Sequence, residues 1–267
     1  MAIARRPFFS LPLAVQLAVR EQTGAIHTAR TVRGGGSSGV AACLETEKGK
    51  VFVKGIHEGH PLASALGREA HINPHLPEAC PRLIWRVEAK AWALLGYSFL
   101  AGRHADYRPG SPDLRPVREA LNEVQCLTVP EGTSTLSAQQ RWALCAPAGS
   151  AHRFAGDTLL HTDLAPDNVL VGERAHLVDW AWPTRGAAWI DPALLALRLI
   201  AAGHSPRQAD AVAHTFPSWK GADLVSKCAF ATATARLWSD IAGSDPAVWK
   251  YRMARSSTAF AEFLAHS

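Results

Sequence analysis

Leu159-Leu160-His161-Thr162-Asp163-Leu164-Ala165-Pro166-Asp167-Asn168-Val169-Leu170-Val171 sets an aspartate and an asparagine into one polar loop between two short apolar runs. The runs, Thr158 to Leu160 and Val169 to Val171, read as brief strands. A third run, His176 to Val178, follows and delivers Asp179 into a turn with Trp180 and Ala181. An aspartate in a turn is by default a satisfied cap or a surface charge. Two of them at this distance, each at the mouth of an apolar strand, form a constellation that single residues do not.

His161 to Asn168 has the spacing H-x-D-x-x-x-x-N and resembles the catalytic loop of the protein-kinase-like fold. With its flanks, L-L-H-x-D-L-x-x-x-N-V-L-V, it is most similar to aminoglycoside phosphotransferases and their relatives. The chemistry explains the residue types: a hydroxyl is a poor nucleophile, so a carboxylate within hydrogen-bond reach must orient it and take its proton as the phosphorus–oxygen bond forms. The resemblance assigns that role to Asp163. It gives Mg²⁺ binding to Asn168, whose amide oxygen turns back across the loop, and to Asp179, whose carboxylate binds the ion bridging the β- and γ-phosphates. His161 is expected to hold the loop by hydrogen bonds. Asp179-Trp180-Ala181 lacks the glycine that protein kinases carry after this position, so no glycine-dependent flip of the segment is expected.

The amino-terminal half gives independent support. Ile26 to Arg33 and Val40 to Glu45 read as strands flanking Gly34-Gly35-Gly36-Ser37-Ser38-Gly39, and Lys48-Gly49 turns the chain into Lys50 to Lys54. The glycine run matches G-x-G-x-x-G between two strands, unlike the strand-to-helix dinucleotide fingerprint, and suits a hairpin loop over a triphosphate. Gly34, Gly36 and Gly39 let backbone N–H groups approach phosphate, and Ser37 or Ser38 adds a hydroxyl. Lys54 closes the strand Val51-Phe52-Val53-Lys54, comparable to the V-A-I-K strand of kinases, whose lysine contacts the α- and β-phosphates. Its acid is expected to be Glu69, on a helix from about Leu62 to Ile72, rather than Glu58 in a loop. Asp191-Pro192 reads as an N-cap with proline in the first turn. The resemblance adds support beneath the catalytic loop, although Leu195 stands where relatives carry a second aspartate.

Two more strands, Arg82 to Glu88 and Ala91 to Phe99, complete a five-stranded sheet. Ala101 to Pro112 reads as a connector, with His104, Asp106 and Tyr107 as exposed loop residues. Helices follow at about 114–127, 137–144, 192–202, 206–214, 222–241 and 246–265. The expected fold class is α+β: a bilobal protein-kinase-like arrangement with an antiparallel sheet plus helix over residues 1–100 and a mainly helical lobe over 101–267.

Among the 267 residues, 48% are hydrophobic and 19% charged, enough to bury a core, and the formal net charge is +5. The basic residues are scattered, which argues against a nucleic-acid partner. Cys43, Cys80, Cys126, Cys145 and Cys228 lie far apart with no C-x-x-C pair, as in reduced cytosolic proteins. Arg5-Arg6 before Phe8-Phe9-Ser10-Leu11 has the outline of a twin-arginine or secretory signal. Pro7, Pro12 and Gln16 interrupt its apolar stretch, and a helix from about Leu11 to Gln22, ended by Gly24, is expected instead. No run approaches the roughly 20 apolar residues of a spanning helix, so no membrane partner and a cytoplasmic location are expected.

The reading is a Mg²⁺-dependent kinase moving the γ-phosphoryl group of ATP or GTP to a hydroxyl of a small molecule. From 191 to 267 there are six acids against eight Lys and Arg. A polycationic acceptor calls for a carboxylate-rich pocket, so a nucleoside or peptide-type antibiotic is favoured, in the context of antibiotic inactivation or self-resistance. The alternatives are a metabolic kinase acting on an amino alcohol, a sugar or homoserine, a true aminoglycoside kinase, and a nucleotide-binding regulator.

Overall fold

In the computed structural model, which describes residues 4–32, 38–133 and 135–267, period-two alternation builds the first sheet. The elements are helix α1 (Leu13–Thr23), strands β1 (Ile26–Thr31), β2 (Val40–Thr46) and β3 (Gly49–His57), helix α2 (Ala63–Ile72), and strands β4 (Leu83–Ala89) and β5 (Trp92–Ser98). The strands pair antiparallel in the order β1-β2-β3-β5-β4. Val40, Ala42, Leu44, Val51, Val53, Trp92 and Leu94 point to one face, which Phe8, Leu11, Val15 and Val19 of the N-terminal segment and α1 cover. Ile56, Leu95 and Tyr97 point to the other and meet Leu66 of α2. Successive strand residues face opposite sides, so Lys54 shares the α2 face with Ile56. Gly24 ends α1 with φ +72°, as expected from its place in the sequence.

Two sequence expectations are corrected here. Lys54 does not close its strand: β3 runs on to His57, and Lys54 sits mid-sheet opposite Ala41 and Leu95. The connector is not uniformly exposed loop. It contains β6 (Arg103–His104) and buries Tyr107. It is organised by Asp113, whose carboxylate receives both Nη1 and Nη2 of Arg103, at 2.5 and 2.7 Å, and the Asp106 N–H.

The second lobe continues with α3 (Leu114–Gln125), β7 (Leu136–Ser137), α4 (Ala138–Trp142), β8 (Thr158–Leu160), β9 (Val169–Val171), β10 (Ala175–Leu177) and β11 (Thr184–Gly186). Helices α5 (Ile190–Ala201), α6 (Pro206–Ala213), α7 (Pro217–Gly221), α8 (Leu224–Ser244) and α9 (Val248–Ala265) complete it. The expected helix at 137–144 is shorter, begun by Ser137 in a capping box with Gln140, and α7 is additional. Small sheets β10-β9-β6 and β7-β11-β8 frame the catalytic-type loop. One large apolar cluster, including Phe154, Trp180, Trp189, Trp219 and Phe230, fills this lobe and takes in Ile72, Leu76, Ala79 and Cys80 from the end of α2 and beyond. The Leu177 N–H also donates to Ala79 O at 2.7 Å, so the segment leading to Asp179 is fastened to the chain that follows α2. Among the described residues no helix is long and apolar enough to cross a membrane.

Candidate active site

Lys54 joins the two lobes. Its Nζ lies 2.6 Å from Glu69 Oε2 and 2.5 Å from Asp179 Oδ1, with the lysine and Glu69 side chains each only 6% exposed. Strand alternation aims Lys54 at α2, and Glu69 lies on the buried face of that helix with Leu66 and Ile72. Glu58 is exposed in the turn after β3. Burial opposes the charge on Lys54, but the carboxylates of Glu69 and Asp179 outweigh it and hold the lysine above its ordinary pKa. Burial pushes the Glu69 carboxyl up, with Lys54 pulling against it. A buried charge keeps its ionised form only when paired in this way.

Asp179 has φ +62° and Thr162 has φ +65°. Left-handed backbone at non-glycine residues costs about 1–3 kcal/mol and persists where the surroundings fix it. The fixing groups are visible. Trp180 is buried and packs edge-on against His161 with ring centroids 4.6 Å apart, anchoring the residue after Asp179. His161 donates from Nε2 to Val178 O at 3.0 Å and accepts the Asp163 N–H at Nδ1. The Val178 N–H donates to Asn168 O. The two strand-ended loops are therefore one hydrogen-bonded unit.

Asp191 corrects another expectation. It is not an N-cap but lies inside the first turn of α5, fully buried, and accepts the backbone N–H groups of His161 at 2.8 Å and Thr162 at 2.9 Å. Burial pushes its carboxyl up, while these N–H groups and His161 favour the charge. Its carboxylate thus satisfies two buried donors that the turned loop would otherwise strand. Asn168 donates from Nδ2 to Asp163 O at 3.0 Å, which brings its side chain back across the loop and leaves the amide oxygen as its acceptor end.

The structure thus brings Lys54, Glu69, Asp179, Asp163, Asn168, His161 and Asp191 into one connected set. Ser38 and Gly39 are at the foot of the β1–β2 hairpin: Ser38 is buried with no hydrogen-bond partner for Oγ among the described residues, and Gly39 packs on Trp92. Gly34, Gly36 and Ser37 lie outside the described residues.

Two arginines escaped the sequence reading. Arg198 Nη2 donates to Asp163 Oδ1 at 2.9 Å while its guanidinium stands 5.6 Å over the Trp238 ring. Its signal was helical spacing, since Asp191 and Arg198 are about two turns apart on one face of α5. Arg141 Nη1 donates to Thr162 Oγ1, Thr184 Oγ1 and Trp182 O, with the guanidinium over both Trp142 and Trp182. Burial pulls its pKa down and the Asp163 and Asp191 charges oppose the fall. No local pattern in the sequence announces Arg141, because its partners lie 21 to 43 residues further along the chain.

No protein-family model and no curated protein sequence matches the chain. Solved structures do. A thermostable variant of the aminoglycoside phosphotransferase APH(4)-Ia, in ternary complex with AMP-PNP and hygromycin B, aligns with TM-score 0.64 and 12% identity over 93% of this chain and 99% of its own. A candidate aminoglycoside phosphotransferase from Ralstonia eutropha aligns with TM-score 0.61 and 10% identity over 98% and 99%. A candidate fructosamine-3-kinase from Haemophilus somnus gives 0.55 and 12% over 92% and 96%. Likeness at these identities is a likeness of fold, and the fold of this chain is the bilobal protein-kinase-like arrangement found in aminoglycoside phosphotransferases.

Proposed function

We propose that the protein transfers the γ-phosphoryl group of ATP or GTP to a hydroxyl of a small molecule that is not a polycation. The observation that carries this reading is the bridging of Glu69 and Asp179 by Lys54, facing a loop that presents Asp163 and Asn168. A module that only bound nucleotide would not need a carboxylate in the position of Asp163.

In this reading Lys54 meets the α- and β-phosphates while Glu69 holds its ammonium in place. Asp163 accepts the proton of the acceptor hydroxyl as that oxygen bonds to the γ-phosphorus, the bond to the bridging oxygen breaks, and nucleoside diphosphate leaves. Asp179 and Asn168 offer hard oxygen donors suited to Mg²⁺, which usually takes one or two protein ligands beside phosphates and water. When bound, the ion supplies charge neutralisation at the phosphates. Asp191, His161 and Arg141 keep the loop in its left-handed turn.

The acceptor class rests on charge. The charged side chain hydrogen-bonded to Asp163 among the described residues is an arginine, not a second carboxylate. A cation beside the base repels a polycationic acceptor. That supports a neutral or weakly charged hydroxyl compound, such as a nucleoside or peptide-type antibiotic or a small metabolite. The solved relative bound to hygromycin B remains the precedent for an aminoglycoside.

The test is a mass-spectrometric transfer screen with Mg²⁺ and ATP or GTP over aminoglycosides, nucleoside and peptide antibiotics, and hydroxylated metabolites, with Asp163→Asn as control. The expected result is a product heavier by one phosphoryl group from a non-cationic acceptor, lost in the variant. Absence of nucleotide binding would overturn the kinase reading, and transfer confined to aminoglycosides would overturn the acceptor class.

A further inference from the structure

Arg5 and Arg6, the pair with the outline of a targeting signal, are built into the fold next to the candidate nucleotide site. The Arg6 N–H donates to Gly39 O at 2.8 Å, and Arg5 Nη1 donates to Val32 O at 2.5 Å. Val32 directly follows β1 and Gly39 directly precedes β2. The segment before α1 therefore grips both feet of the glycine-rich hairpin. The buried Phe8 and Leu11 fasten that segment to the sheet.

The Arg5 guanidinium is half-buried, and its Nε is shut off from solvent with no hydrogen-bond partner among the described residues. Burial pulls the guanidinium below its ordinary pKa, and the charge of Asp179 pulls it back. Asp179 is also the residue on which Lys54 closes. Arg5, held at the foot of β1, and Lys54 thus both lie in the field of the Asp179 carboxylate. A guanidinium has five donors in a planar fork that matches phosphate oxygens. Anchoring one of them on Val32 O orients the rest of the fork.

We propose that Arg5 is a ligand of the phosphate chain of the bound nucleoside triphosphate, reaching it from the N-terminal segment at the base of the hairpin. The inference rests on the nucleotide reading of the Lys54–Asp179 site. It makes the Arg5 side chain, ahead of α1, part of the binding machinery, and it separates phosphate recognition by Arg5 from base recognition elsewhere in the cleft.

Calorimetric titration of the full chain with Mg·AMP-PNP, Mg·GMP-PNP and the matching nucleosides tests it, comparing wild type with Arg5→Ala, Arg5→Gln and Arg6→Ala. Arg5→Gln keeps a donor for Val32 O but removes the charge, so it separates a phosphate ligand from a strut. The expected result is that both Arg5 variants lose about tenfold to a hundredfold in affinity for the triphosphate analogue. Nucleoside affinity and melting temperature stay near wild type in Arg5→Gln, and Arg6→Ala binds as wild type does. If wild type binds the triphosphate analogue and Arg5→Gln binds it equally well, or loses nucleoside and triphosphate affinity in parallel, Arg5 is a strut and the proposal falls alone. Wild type that binds neither analogue overturns the proposal together with the nucleotide reading.

Discussion

Arg198 Nη2 stands 2.9 Å from Asp163 Oδ1, so the carboxylate in the position of the base is ion-paired to a helix residue 35 positions further along the chain. The arginine side chain is 16% exposed and the aspartate 36%, which places the pair at the mouth of the loop rather than in the core. The guanidinium stands 5.6 Å over the Trp238 ring, which in turn meets Trp249 edge-on. Asp163 is thereby held at its carboxylate by α5 and at its backbone N–H by His161.

That geometry gives the first prediction. Asp163→Asn lowers kcat by about 10²- to 10⁴-fold, the usual worth of a positioned base, with nucleotide affinity within twofold of wild type. Arg198→Ala lowers kcat/KM for the acceptor by about tenfold to a hundredfold through misplacement of Asp163. Arg198→Lys recovers only part of this, since an ammonium lacks the planar donor fork of the guanidinium. Steady-state kinetics with the acceptor found in the transfer screen reads both. An Arg198→Ala enzyme with wild-type kcat/KM would remove the arginine from this role.

Lys54→Met should separate binding from folding. Removing the lysine leaves Glu69 buried beside Asp179 without its cation, a loss of about 3–5 kcal/mol when a buried pair is broken on one side. The double variant Lys54→Met/Glu69→Gln should recover much of that stability while still failing to bind Mg·AMP-PNP. Urea unfolding and calorimetry on the three proteins make the comparison, and equal stability of the single and double variants would contradict the pairing.

Asp191→Ala strands the His161 and Thr162 N–H groups, each worth about 1–3 kcal/mol when buried and unsatisfied. The expected outcome is a lower urea midpoint. Amide exchange should quicken at His161 and Thr162 but not in the β1–β5 sheet.

Cys80 gives a pH prediction. Burial pushes its thiol up to about 12. With the folded value raised, the unfolded chain sheds this proton from about pH 9 upward while the folded protein keeps it, so the contribution to stability is intact below about pH 9 and is lost as pH rises towards 12. Cys80→Ala should therefore flatten the fall of unfolding free energy between pH 9 and 12 relative to wild type. Under native conditions at pH 8, iodoacetamide should modify the exposed Cys126 and spare Cys80.

Much of this site is local, and the local part could be read in one dimension. The loop from His161 to Asn168 is short, its spacing is set by the turn it makes, and the strands on either side announce themselves as apolar runs. Period-two alternation placed Lys54 on a definite strand, and the helical position of Glu69 rightly set it ahead of Glu58. What failed was also local in origin. Asp191 before a proline has every mark of an N-cap, and only the packing of α5 under the loop turns it into a buried acceptor of two N–H groups. Lys54 was read as a strand end, yet the strand continues through Gly55, which is held inside the sheet opposite Leu94 with no room for a side chain.

By itself the sequence determined the five strands of the first sheet, the longer helices and the spacing of the catalytic-type loop, because these depend on neighbours a few residues apart. Tertiary structure alone decided the charges. Arg198 meets Asp163, Arg141 meets Thr162 and Thr184, and Arg5 enters the field of Asp179 across most of the chain's length. A salt bridge or a hydrogen bond needs two groups within about 3–4 Å. For residues so distant in sequence, that proximity is set by how the lobes and helices pack, which no periodicity along the chain encodes.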